Sequence, residues 1–418
     1  MESQNLTQNW SRKKRFFLKF ALLFISLVIA LTFTEIALRI INYSFPTFYS
    51  PDEYRGYVLT PRIEGWYRKE GESYVKINSD GLRDIEHAKQ KPANTLRIAI
   101  IGDSYAEALQ VPLEKAFWKI AESRLQSCSP VGGKAVEVIN FGVSGYGTAQ
   151  ELITLQQQVS DYAPDVVLLA VTTNNDVTDN SRVLKKTDEI PYFVYREGKL
   201  ELDNSFRENT AFRWRTSKLS RFGTWLRDNL RVVQLGHQAQ YSIKNYLARK
   251  RAPAPAQQVS NQPAAENAPQ NSANRAEDVG IDNLIYREPT DAVWQDAWRV
   301  TEGLMVEMRG EVESKGAKFL VVTLSNGIQV FPAAAARQSF LEKIGAGDIF
   351  YPDKRIKSLG EREKFKVFNL APELQAFAEQ NKVFLHGFGE NIGSGHWNAE
   401  GHRVAGELLS QKLCEEFF

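Results

Sequence analysis

Ile98-Ala99-Ile100-Ile101-Gly102-Asp103-Ser104-Tyr105-Ala106 is the stretch on which the reading of the chain turns. Four apolar residues meet a glycine, and from residue 106 to 125 apolar positions recur at helical spacing. That is a buried strand feeding a helix, a βα unit. Two further buried-strand candidates follow at 135–139 and 166–171, separated by a helix over about 148–160. A helix over about 291–315 then leads into the apolar run 319–324. Residues 367–386 read as a helix and a final strand at 383–385, and 399–416 closes the chain as a helix. Alternation of this kind predicts an α/β layer fold with a parallel sheet.

Composition narrows the rest. The 418 residues carry 52 Lys+Arg against 50 Asp+Glu, a net charge of +2, which argues against a dedicated nucleic-acid binder with its concentrated basic excess. A negative mean hydropathy excludes a polytopic membrane protein. The two cysteines, Cys128 and Cys414, offer neither a zinc-ligand spacing nor a disulfide-dense scaffold. No cofactor or metal is implied.

Those averages hide the N-terminus. Arg12-Lys13-Lys14-Arg15 precedes 19 residues, 16–34, in which Lys19 is the only charge. At about 1.5 Å per residue this run is close to the hydrocarbon thickness of a bilayer. The basic flank leaves residues 1–15 as a cytoplasmic tail, makes 16–40 a transmembrane signal anchor, and sends the remainder to the periplasmic or extracellular side. A cleaved signal peptide is the rival reading, but the run exceeds a usual signal core and no small-x-small site follows it.

Residues 41–95, rich in aromatics and turn residues, read as a small β-rich stalk, and 96–418 as the α/β domain. An insertion at 181–290 interrupts that domain. Its part 205–251 holds 11 Lys+Arg and 2 acids interleaved with Phe206, Phe212, Trp214, Phe222 and Trp225. Such a stretch can lie on an anionic membrane surface, cover a substrate cleft, or form a solvated helical pair packed by its aromatic face. Residues 252–280 read as a disordered linker, since 22 of the 25 residues 252–276 are Ala, Pro, Gln, Asn or Ser.

Four segments at the carboxyl ends of predicted strands converge on one crevice. Gly102-Asp103-Ser104 puts a serine at a helix N-terminus, whose free amides favour developing negative charge. Asn140-Phe141-Gly142-Val143-Ser144-Gly145-Tyr146-Gly147 and Thr173-Asn174-Asn175-Asp176 follow the next two strands. Gly395-His396-Trp397-Asn398 precedes the last helix. In these four blocks and their order the chain resembles the SGNH, or GDSL-type, hydrolase family, over about half its length. The resemblance implies a three-layer, flavodoxin-like domain. It implies Ser104 as nucleophile, His396 as general base, and an oxyanion hole from the Ser104 and Gly145 amides and the Asn175 side chain.

One departure stands out. The family carries an Asp three positions before the histidine, where this chain has Gly393. A dyad with a backbone carbonyl holding the ring is the favoured reading; the alternative is an acid that reaches the site from a loop, Glu390 or another. Asp103 reads as a brace for the nucleophile turn, and His402 and Asn398 as stabilisers of the turn into the last helix. His87, His237 and His386 read as surface or satisfied core histidines, and Trp397 as a residue of the crevice wall or the core. In the flavodoxin-like layer order the first and last helices lie side by side, which predicts a Cys128–Cys414 disulfide in an exported domain.

These observations lead to a membrane-anchored, extracytoplasmic serine esterase acting on O-acyl esters of envelope glycans or lipids through an acyl-serine. The alternatives are acyl transfer to a glycan hydroxyl and a non-catalytic binding protein of the same fold.

Overall fold

The computed structural model describes residues 2–251 and 280–418. They form two compact units, 2–47 with 218–251, and 48–217 with 280–418. Apart from Gly280, the expected linker 252–280 lies outside the described residues.

In the larger unit, two antiparallel hairpins come first. They are β1 (Tyr49–Asp52) with β2 (Gly56–Leu59), and β3 (Glu64–Tyr67) with β4 (Ser73–Lys76). The strands β5 (Thr95–Gly102), β6 (Ala135–Asn140) and β7 (Val166–Thr172) follow, then a third hairpin, β8 (Tyr192–Arg196) with β9 (Lys199–Asp203). The strands β10 (Lys318–Leu324) and β11 (Lys366–Asn369) complete the set. One sheet has the order β6-β5-β7-β10-β11, parallel throughout. Counted along the chain, that is the flavodoxin-like order 2-1-3-4-5, whose crevice opens where the order reverses, between β5 and β7.

Register explains the three layers. Ile98 lies opposite Val138 and Val166, and successive β5 side chains point to opposite faces. Ala99, Ile101, Val167, Leu169 and Val321 pack with the helices Thr148–Gln157, Ala292–Ser314 and Tyr351–Glu363. Ile98, Ile100, Leu168, Leu320 and Val322 pack with Phe117–Leu125, Ala371–Asn381 and Ala399–Lys412. All of β7 is buried, as a central strand covered on both faces requires.

Three boundaries differ from the sequence reading. The last strand of the sheet is β11, before the helix Ala371–Asn381, and 383–385 lies outside the sheet. Val367 and Phe368 enter the two core faces, whereas Phe384 is exposed. Residues 48–95 are not a stalk but part of the larger unit, because Phe48, Leu59, Val75 and Ile77 share a core with Leu109, Val143 and Tyr146. The 181–290 insertion is divided. β8, β9 and the helix Thr210–Thr216, with Phe206 and Phe212 buried, join the larger unit, while 218–251 joins the smaller one.

Cys128 and Cys414 are bonded, with a Cα–Cα distance of 5.8 Å. The helices Phe117–Leu125 and Ala399–Lys412 pack closely because Gly406 has no Cβ to strike the Phe117 carbonyl and Ile120. The bond closes a loop across 286 positions, and removing a disulfide of this kind costs about 2–5 kcal/mol. Cys414→Ser, or reduction of the wild type, is expected to lower Tm by at least about 5 °C in scanning calorimetry. An unchanged Tm would show that the bond contributes nothing.

Candidate active site

Ser104 opens the short helix Ser104–Glu107 directly after β5. Asp103 caps that helix, its Oδ1 accepting from the Tyr105 amide at 2.9 Å and from Thr172 Oγ1 at 2.9 Å. Its other oxygen accepts from Asn175 Nδ2 at 3.0 Å. Asp103 therefore ties β5 to the end of β7 across the switch point and braces the serine. The loop after β6 closes on the same helix because Gly142 leaves room for Ala106 and the Glu107 amide.

His396 Nε2 lies 2.8 Å from Ser104 Oγ, and Nδ1 lies 2.5 Å from Glu70 Oε2. Glu70 Oε1 also accepts the His396 backbone amide at 2.8 Å. One carboxylate thus fixes both the ring and the main chain of the histidine, with Ser104 on the other nitrogen. Glu70 sits in the β3–β4 turn, 326 positions from His396. The turn is seated by Ser73 Oγ, which donates to the Leu109 carbonyl at 2.5 Å, and by Gly71, whose φ of +68° puts its bare α-carbon against the Gln110 carbonyl and the Phe388 ring.

The acid is a loop residue other than Glu390. Glu390 is exposed, and no contact ties it to His396; the ring is held by a carboxylate, not by a backbone carbonyl. The backbone explains why no acid occupies 393. Gly393 has φ +91°, and a Cβ there would meet the Phe331 ring. Gly395, at φ +80°, likewise makes way for Glu70, since a Cβ would fall on its carboxylate. Nothing in periodicity or motif spacing singles out Glu70, and only the unmet demand of the imidazole for an acid pointed to a residue of this kind.

A second histidine supports the first from behind. His386 is buried, and Nδ1 lies 2.8 Å from the Gly395 carbonyl. Its Nε2 meets Ser325 Oγ at 3.1 Å, and that oxygen accepts from Trp397 Nε1 at 2.8 Å. Tyr105 Oη donates to the same Gly395 carbonyl at 3.1 Å. Burial pushes the His386 pKa down to about 4, so the ring is neutral and can donate through Nδ1 while accepting at Nε2.

Electrostatics divide the other groups. Burial disfavours a charged His396, but the hydrogen bond and charge of Glu70 outweigh it, aided by Asp103 and Glu107, and its pKa is raised above the ordinary imidazole value. Burial would raise Glu70, yet the contacts with His396 prevail and hold it below the usual carboxylate value. Glu107, fully buried, is pushed up to about 7 by burial, against donors from Ser144 and Tyr49. It anchors the turn before Gly145, whose neighbour Ser144 also accepts from Tyr57 Oη at 2.8 Å.

A cavity of about 500 Å³ opens over Ser104 and His396. Asn174, Asn175, Asn283 and Asn326 line it with Phe331 and Phe340. Gly145, at φ +78°, lies in the loop after β6 and is not among the lining residues. Trp397 is buried in the core, not in the cavity wall. Asn398 caps the last helix, accepting from Glu400 and Gly401 amides at 3.0 Å each, and His402 is buried beneath it. His87 lies between Asp84 and Glu137, and His237 is in the smaller unit.

No family model matches the chain, and no curated protein matches it in sequence. Its similarities are to solved structures. A G-D-S-L family protein from Desulfitobacterium hafniense DCB-2 shares 11% identity at a TM-score of 0.33, covering 76% of this chain and 98% of its own. The acetyl xylan esterase AlAXEase shares 13% at 0.34, covering 75% and 98%. The acetylxylan esterase of Geobacillus stearothermophilus shares 10% at 0.35, covering 77% and 94%.

For Ser104 to lose its proton, His396 must be neutral. A raised pKa keeps the ring charged to higher pH, so the rate of Ser104 modification by a fluorophosphonate is expected to fall on the acid side at a pH above the ordinary imidazole value. Glu70→Gln is expected to slow that reaction about 10³- to 10⁴-fold and move the acid limb to lower pH. Glu390→Ala is expected to change neither. An unaltered limb in Glu70→Gln would separate Glu70 from the base.

Proposed function

We propose that this chain is a membrane-anchored serine esterase acting outside the cytoplasm, with Ser104, His396 and Glu70 as its catalytic triad. The observation that carries this reading is His396 within hydrogen-bonding distance of Ser104 Oγ on one nitrogen and Glu70 on the other. A serine hydroxyl attacks an ester only when a neighbouring base removes its proton, and the base needs its ring fixed in one tautomer.

In this mechanism Ser104 Oγ attacks the ester carbonyl while its proton passes to His396 Nε2. Glu70 stabilises the imidazolium. The tetrahedral oxyanion is accepted by the amides of Ser104 and Gly145 and by Asn175 Nδ2, whose second N–H is not taken by Asp103. His396 returns its proton to the departing alcohol and leaves an acyl-Ser104. Water, activated by His396, then attacks that acyl group and frees the acid; a sugar hydroxyl in the same place would accept the acyl group instead.

Three features support a hydroxyl-rich substrate, an O-acylated envelope glycan, over a lipid ester. Four asparagines line the cavity together with the aromatic rings of Phe331 and Phe340. Asn326 is buried and donates through Nδ2 to Thr173 Oγ1 at 3.1 Å and to Tyr286 Oη at 3.0 Å. Its Oδ1 has no partner among the described residues. A buried acceptor left unpaired costs about 1–3 kcal/mol, and a rotation of the Asn326 side chain on binding would let a hydroxyl beside the scissile ester recover it. The helix Lys13–Ile40, long and apolar enough to cross a membrane, supports anchoring, with the N-terminus cytoplasmic.

Wild-type protein is expected to react with a fluorophosphonate at Ser104, with labelling abolished in Ser104→Ala and strongly reduced in His396→Ala. An intact, folded protein that resists the reagent would contradict the enzyme reading. Asn326→Ala is expected to lower kcat/KM about 10-fold or more for an acetylated oligosaccharide, and far less for an aryl acetate lacking neighbouring hydroxyls. Equal losses on both would contradict the hydroxyl contact.

A further inference from the structure

We propose that the helices Lys218–Asn229 and Arg231–Arg251 lie in the headgroup layer of an anionic lipid leaflet, clamped to the exit of the span formed by Lys13–Ile40. The proposal rests on the anchor reading, not on the esterase chemistry.

The clamp is made of specific bonds at the end of the apolar helix. Glu35 accepts from the Val232 amide at 3.0 Å and pairs with Arg39 at 2.7 Å, and Arg39 donates to the Asn229 carbonyl at 2.7 Å. Just beyond, the amides of Phe45 and Thr47 donate to Gln234 at 2.8 Å and Asp228 at 3.2 Å. Glu35 and Arg39 fall in the last two turns before Ile40, so at about 1.5 Å per residue the contacts begin less than about 10 Å below the helix end. A helix pair tied there shares the depth of the interface.

Its surface has the chemistry of that depth. Leu219, Phe222 and Trp225 are 66%, 56% and 56% exposed, and lie on one face of Lys218–Asn229. Phe222 and Trp225 stack with ring centroids 6.0 Å apart. Exposed Lys218 and Arg221 flank that face. On the second helix Ile243 and Leu247 are exposed beside exposed Lys244. Residues 218–251 contain eight Lys+Arg and one acid, Asp228, and that acid is occupied by the Thr47 amide and Arg227. Apolar rings bordered by cations suit acyl chains below and phosphates above. The charge favours an anionic leaflet over a neutral one.

The test uses the full chain in nanodiscs, with single cysteines introduced as Leu219→Cys and Phe222→Cys for spin labelling. Both native cysteines are bonded, so the new thiol is the one that reacts. In phosphatidylcholine discs containing phosphatidylglycerol, both labels are expected to collide with a water-soluble nickel chelate several-fold less often than labels on a soluble site, and readily with oxygen. Neutralising Lys218, Arg221, Arg231 and Lys244 to Gln should abolish the difference between these discs and pure phosphatidylcholine discs. Labels fully open to nickel chelate in both lipids would overturn the proposal, as would shielding that needs an added membrane protein. A label at Leu27→Cys separates the two readings, since its failure to contact oxygen in the bilayer would sink the anchor itself.

Discussion

The pair of hydrogen bonds that the ring and the backbone amide of His396 donate to the Glu70 carboxylate is the constraint on which the site depends. An imidazole on a glycine-rich loop has no intrinsic reason to present one nitrogen to a serine. Gly393 and Gly395 both carry positive φ, and without an external anchor the segment could move away from Ser104. The carboxylate fixes the tautomer, the plane of the ring and the path of the chain with one side chain.

Everything around that interaction serves to keep it in register. The parallel sheet delivers Ser104 and the Thr173–Asn175 segment to adjacent strand ends at the switch point, and Asp103 joins them. The first hairpins pack beneath, through Leu59, Val75 and Ile77, so Glu70 is supplied from a rigid two-stranded turn. The neutral His386 and Tyr105 fix the Gly395 carbonyl. The result resembles a triad assembled from two ends of the chain. In the proposed triad the acid comes from the segment before the sheet, the nucleophile from the end of the first strand of the sheet, and the base from the last loop.

The sheet is legible because four of its strands are short, mostly apolar runs with helical periodicity between them. Four of its five strands stand where the pattern puts them; the fifth, β11, is only Lys366–Asn369, with two apolar residues and no periodic signal of its own. Ser104, Asn175 and His396 were legible because each sits in a short motif beside a strand or helix end. Glu70 was not, because in sequence it is one of three charged residues in a turn, Lys69-Glu70-Gly71-Glu72, and only tertiary packing brings it to His396. Residues 41–95 read as a separate stalk for the same reason, since the core partners of their hairpins, Leu109, Val143 and Tyr146, lie farther along the chain. The basic segment was legible in composition, but its division between two units depends on contacts with residues 35–47 that no local pattern announces.

The central claim, that Glu70 holds His396 as a base for Ser104, is tested most directly by titrating His396 itself. In ¹⁵N-histidine-labelled protein, assigned through His396→Gln, NMR should show the ring titrating above the ordinary imidazole value, with Nδ1 bearing the proton in the neutral form. Glu70→Gln should bring that titration down. A His396 that titrates at the ordinary value in wild type and is unmoved by Glu70→Gln would contradict the account.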